Sequence, residues 1–163
     1  MLGIDPGLAN TGFGVVESGA GRLRALDGGV VKTAAGDALE LRLAELQKRI
    51  ELLLAEHKPD SVALEKLFFG RNVSSAQGVS QARGAVLAAA GRAGLACYSY
   101  TPQQLKSAVC GSGGAAKEQV QTMVQALLSL PEPPQPDHAA DALAAAICHI
   151  ERAGLASAIR NAA

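Results

Sequence analysis

Four residues of this chain carry types and spacings that can do chemistry: Asp5, Glu65, His138 and Asp141. Asp5 ends the apolar stretch Met1 to Ile4, and Glu65 ends the stretch Val62 to Leu64. An acid closing a strand buried on both faces is costly unless a metal ion or a strong ion pair meets it. An Asp before Pro6-Gly7 is also an ordinary turn opener, so this stretch taken alone leaves both readings standing. His138 and Asp141 lie three apart on a helical pattern and therefore point to one side. If the two acid-ended strands are parallel neighbours, their carboxylates meet at one edge of a sheet. Three acids and an imidazole can then hold two divalent cations about 4 Å apart, an arrangement that stabilises the attacking and leaving oxygens in phosphodiester hydrolysis. No nucleophilic side chain is required. Oxygen-rich ligation suits Mg²⁺ or Mn²⁺, the imidazole nitrogen favours Mn²⁺ of the two, and zinc would call for more His or Cys.

The elements that must position these groups follow from periodicity and punctuation. Met1 to Asp5 and Thr11 to Val16 read as a hairpin around Pro6-Gly7, and Arg22 to Thr33 as a third antiparallel strand with a bulge at Gly28-Gly29. Asp37 and Glu40 have the spacing of a capping box, and Leu39, Leu43, Leu46, Ile50 and Leu53 recur at helical spacing to about His57. Ser61 to Leu67 reads as a strand. Phe68 to Asn72 is a loop, and a small-residue helix runs from Ser74 to about Arg92. Ala96 to Tyr100 is a short strand, Thr101-Pro102 opens a helix that Gly111 to Gly114 ends, and another helix starts near Lys117. Pro131 to Pro136 reads as a rigid, extended linker. The last helix begins at Asp137 or His138 and dissolves after Arg152, so the expected layout is one domain over 1–153 and a small-residue tail over 154–163. Strands, helix, strand, helix, strand and then helices make an α/β layered fold around a mixed sheet.

Composition narrows the class further. Hydrophobic residues are 48% of the chain but aromatics only 3%, with no Trp, so the core is expected to be built from small aliphatic side chains that let backbones approach. Lys plus Arg equals Asp plus Glu at 15 each, so attraction to nucleic acid must come from a local basic face. Cys97, Cys110 and Cys148 show no ligand spacing and suit reduced thiols, and no apolar run reaches membrane-spanning length. A cytoplasmic protein without a membrane segment is expected.

Three ordered motifs, Leu-Gly-Ile-Asp-Pro-Gly at 2–7, Leu-Glu-Lys-Leu-Phe-Phe at 64–69 and Asp-His-Ala-Ala-Asp-Ala-Leu-Ala at 137–144, resemble the RuvC family of bacterial Holliday junction resolvases. The resemblance runs from about Met1 to His149 and includes Gln81-Ala82-Arg83-Gly84 and Ala116-Lys117-Glu118-Gln119-Val120. It implies a ribonuclease H-like fold with a five-stranded mixed sheet flanked by helices. It implies a homodimer that nicks two opposed strands of a four-way DNA junction in recombination and repair, with RuvA and RuvB as partners. Asp5, Glu65, His138 and Asp141 become the catalytic metal ligands, Asp5 bridging both ions. Phe68 becomes a wedge that stacks on an unpaired base, and Lys106 and Lys117 match phosphate-contacting positions. Phe69, Arg71 and Arg83 join them as expected DNA contacts, although scattered charges are more often a solvated face. Many relatives carry Asp where His138 stands, and Asp137 competes for that role one residue earlier. Two rival readings are a junction-binding module without activity, which would lack a ligand carboxylate, and a nucleotide-binding fragment of the actin and sugar-kinase type, which would need a duplicated and much longer chain.

Overall fold

The computed structural model describes residues 1–66 and 73–162. Strands β1 (Leu2–Asp5), β2 (Asn10–Gly19) and β3 (Arg22–Lys32) form an antiparallel meander. Helix α1 (Leu39–His57) leads to β4 (Ser61–Glu65), and α2 (Val73–Arg92) to β5 (Ala96–Tyr100). Three helices follow, α3 (Pro102–Cys110), α4 (Lys117–Leu128) and α5 (Asp137–Ala162). The sheet order is β3-β2-β1-β4-β5, with β4 parallel to both β1 and β5. The expected five-stranded mixed sheet flanked by helices is therefore present.

Two apolar layers sandwich this sheet. On one face Leu46, Ile50 and Leu54 of α1 and Ala82, Val86, Ala89 and Ala90 of α2 bury Leu2, Ile4, Val62 and Leu64. On the other, α3, α4 and α5 bury Val16, Ala63 and Tyr100 around Leu143, Ile147 and Cys148. Alternate residues of β1 and β4 go to opposite faces, as a pleated strand requires. Burial on both faces explains why neither strand shows polar alternation before its terminal acid.

How close α5 can lie to the sheet is decided by missing side chains. A Cβ on Gly3 would collide with the main-chain oxygen of Ala142, one on Gly12 with that of His138, and one on Gly14 would press 2.6 Å from Leu143 Cδ2. Ala139, Ala140, Ala142, Ala144, Ala145 and Ala146 are buried against the sheet or its neighbours. Small residues on both sides thus bring the backbone of α5 down onto β1 and β2.

Several local expectations need correction. The irregularity between β2 and β3 falls at Leu26, because Val15 pairs with Asp27 and Val16 with Ala25, whereas Gly28 and Gly29 stay in register opposite Gly14 and Phe13. Gly29 instead makes room for the Phe13 ring, 3.2 Å from where its Cβ would be. The N-cap of α1 is Ala38, without a side-chain bond, one residue past Asp37, whose backbone N–H donates to the Ala34 carbonyl at 3.2 Å. β4 stops at Glu65. The proline segment is not straight but bends at 131–132 and again at 135–136. α5 continues past Arg152 to Ala162, in keeping with alanine being the strongest helix former. By contrast α3 opens at Thr101-Pro102 as expected, with Thr101 and Gln104 forming a full capping box, and Gly111 ends it in the left-handed conformation at φ 72°.

Candidate active site

Parallel pairing of β1 with β4 sets Ile4 beside Leu64, so Asp5 and Glu65 leave the sheet side by side at its C-terminal edge. Behind Asp5, the buried Thr11 hydroxyl donates to the Gly7 carbonyl at 2.6 Å and accepts from the Gly7 N–H at 3.3 Å, tying the turn shut. Asp5 itself pairs with Gly12, the residue over which the His138 backbone lies. One turn further along α5, Asp141 faces the same edge. Asp5, Glu65 and Asp141 each present an oxygen within 4.8 Å of the others, a grouping that could hold a metal ion.

Three acids this close perturb one another. Burial, followed by the charges of Asp5 and Asp141, pushes the Glu65 carboxyl from 4.5 up to about 8. Burial and the Asp5 charge likewise raise Asp141. Lys106 of α3 opposes the shift at Glu65, and Lys117 opposes the one at Asp141. These two lysines line a cleft of about 190 Å³ together with Glu65 and Asp141. The cleft therefore offers both oxygen ligands and lysine side chains.

His138 and Asp137, adjacent in sequence, are placed differently. His138 Nδ1 lies 2.6 Å from Asp5 Oδ2, so the imidazole reaches the acid cluster through Asp5. Asp137 turns the other way, taking the Lys117 ammonium at 2.7 Å and the Gln121 amide at 2.8 Å. Bonded to α4 in this way, it is not among the grouped acids.

Arg83 lies on α2 with its guanidinium on the Glu65 carbonyl and the Ser99 hydroxyl. Phe68, Phe69 and Arg71 fall outside the described residues. Sequence reading gave no role to His57 and His149, and both have partners away from the acids. His57 Nε2 meets Asp27 Oδ2 at 3.1 Å, and His149 Nδ1 meets the Tyr100 hydroxyl at 2.7 Å. What sequence reading missed at the site is the Lys117–Asp137 pair and the glycines under α5. The only available signal for the latter was the density of Gly in the first two strands.

A family model described as "Crossover junction endodeoxyribonuclease RuvC" matches residues 1–149. A crossover junction endodeoxyribonuclease RuvC of Syntrophomonas wolfei is 47% identical over 163 residues, covering 100% of this chain and 95% of that protein. One from Thermomicrobium roseum is 52% identical over 151 residues, covering 93% and 92%. Among solved structures, T. thermophilus RuvC in complex with Holliday junction substrate superposes with a TM-score of 0.91 at 44% identity, covering 95% of this chain and 94% of that one. A Fowlpox virus resolvase solved with Holliday junction DNA gives a TM-score of 0.62 at 14% identity over 93% of this chain and 98% of that one, a likeness of fold alone.

Proposed function

This chain belongs to the RuvC family of crossover junction endodeoxyribonucleases, and on that premise we propose that it resolves four-way DNA junctions by paired, symmetric nicks, with Asp5, Glu65, His138 and Asp141 as its catalytic, metal-holding residues. One observation carries the reading: three acids from β1, β4 and α5 converge within 4.8 Å beside two lysines. Such a set fits a divalent cation. Its donors are hard carboxylate oxygens, and the raised Glu65 and Asp141 mark negative charge left uncompensated within the protein. We assign Mg²⁺ or Mn²⁺, two per subunit and Mn²⁺ favoured, held by Asp5, Glu65, Asp141 and His138. When bound, such ions supply an activated water and charge stabilisation at the phosphate.

The chain's own residues do the rest. Lys106 and Lys117 line the same cleft as Glu65 and Asp141 and are placed to meet a phosphodiester that enters it. Phe68 is assigned to stacking on an unpaired base, and Phe69 and Arg71 to contact with the DNA. Asp137, itself bonded by the Gln121 amide, holds Lys117 where it can exchange a carboxylate for a phosphate. Two nicks across one crossover need two such sites related by a two-fold axis, so the working unit is a homodimer. The exposed face of α2, formed by Gly84, Leu87, Ala88 and Gly91, is the close-packing surface for it. RuvA and RuvB are the expected partners, the compartment is the cytoplasm, and residues 1–153 form the nuclease unit.

The decisive experiment incubates purified protein and Mn²⁺ with a synthetic four-way junction and with linear duplex of the same sequence. Paired nicks at symmetric positions on the junction alone are expected. Cleavage of both substrates alike would overturn the reading.

A further inference from the structure

Helix α2 delivers one arginine to the edge of the sheet where the acids emerge. Arg83 Nη1 donates to the main-chain carbonyl of Glu65 at 3.2 Å, and Nη2 donates to Ser99 Oγ on β5 at 2.6 Å. Glu65 is the last residue of β4, where ladder partners run out, and the next amide, Lys66 N–H, is caught by the Tyr100 carbonyl at 2.7 Å. Both sides of the Glu65–Lys66 peptide are therefore fixed, one by β5 and the other by the guanidinium. Hydrogen bonds from a charged donor are roughly twice as strong as neutral ones. Arg83 is half-buried, and no carboxylate pairs with it among the described residues. A guanidinium bonded in this way is committed to the fold and would have to give up both bonds to meet a phosphate.

We propose that Arg83 is a positioning residue, bridging α2 to the ends of β4 and β5 so that the Glu65 carboxylate is presented at a fixed place in the acid cluster. The inference rests on Glu65 being a metal ligand. Geometry matters here because groups that act together must be held within a fraction of an ångström. Arg83 works through the backbone, since the cation that most affects the Glu65 carboxyl is Lys106. Lysine cannot replace it, because one ammonium on a flexible stem does not span two acceptors as a planar fork does.

The test compares the full-length parent with Arg83→Lys, Arg83→Ala and Ser99→Ala. Three quantities are read: Mn²⁺ binding without DNA by calorimetry, metal-free junction binding over a salt series, and nicking. Both Arg83 variants should bind Mn²⁺ about tenfold more weakly, as expected when a residue that orients a ligand is lost. Their kcat should fall while junction affinity and its salt slope stay at the parental values. Ser99→Ala should move the same way by less, and it keeps the question open to measurement if Arg83→Ala fails to fold. The idea is overturned if Mn²⁺ binding is parental while Arg83→Ala weakens junction binding and lowers the salt slope by about 1, with Lys restoring both, for that is how a phosphate contact behaves. A parent that binds Mn²⁺ yet leaves junctions uncut would overturn the nuclease reading instead, and the Mn²⁺ comparison would still judge Arg83.

Discussion

Glu65 is where the site's electrostatics can be measured. Its folded pKa of about 8 lies above the ordinary 4.5, so the native state binds the proton more tightly than the unfolded chain does. Stability then falls as pH rises from about 4.5 to about 8 and levels off above, since the slope follows the protons bound by the unfolded minus the native state. Metal-free protein should lose thermal stability across that window, and Glu65→Gln should flatten the loss. A melting profile of the parent as flat as that of the Gln variant would contradict the assignment. The same variant should bind junctions but cut them more slowly by orders of magnitude, because binding depends mainly on phosphate contacts. A second prediction separates two neighbours. Asp137, bonded to Lys117 and Gln121, can be replaced by Ala with cleavage falling no more than several-fold, whereas His138→Ala should impair cleavage severely and leave junction binding intact. His138→Asp should narrow the preference for Mn²⁺ over Mg²⁺, read from rates in the two metals. Asp5, Glu65 and Asp141 were legible in sequence because strand ends and a three-residue helical step are local patterns. His138 was preferred to Asp137 only through the family register, because the Lys117 and Gln121 side chains that engage Asp137 come from α4 and leave no local pattern.

The elements show the same division. Strands β1 and β4 were readable because a strand buried on both faces is an unbroken apolar run, and α3 was readable from its Thr cap and Pro. The capping box expected before α1 failed because the helix takes Ala38 as its N-cap, one residue past Asp37, an offset that spacing cannot resolve. The bulge was placed at Gly28-Gly29, but Gly29 serves close packing against Phe13, as Gly3, Gly12 and Gly14 do against α5. From that packing comes a third prediction. Gly12→Ala must lift the His138 turn of α5, so thermal denaturation should show a loss of about 1 to 3 kcal/mol from overpacking, with a loss of cleavage out of proportion to it. Gly154→Ala on α5, whose added methyl meets nothing within 4 Å, is the control expected to be as stable as the parent or more so.

Over the whole molecule, the sheet edge gathers the acids while the exposed outer face of α2 is the surface proposed for a second copy. Ala82, Val86, Ala89 and Ala90 are used up in the core, and Ala85 packs beside them. Ala88 points outward, so Ala88→Arg should give monomers by sedimentation with the fold intact, whereas Ala85→Arg would disturb the core as well. An unchanged dimer in Ala88→Arg would move the interface off this face. The bare track of Gly3, Gly12 and Gly14 under α5 also has a genetic consequence. No codon change at a glycine encodes anything smaller, so every missense allele at Gly3 or Gly12 enlarges a residue beneath the helix that carries Asp141. In a saturation screen for rescue of recombination, these two positions should be as empty of surviving alleles as the acids themselves, although neither bears a functional group.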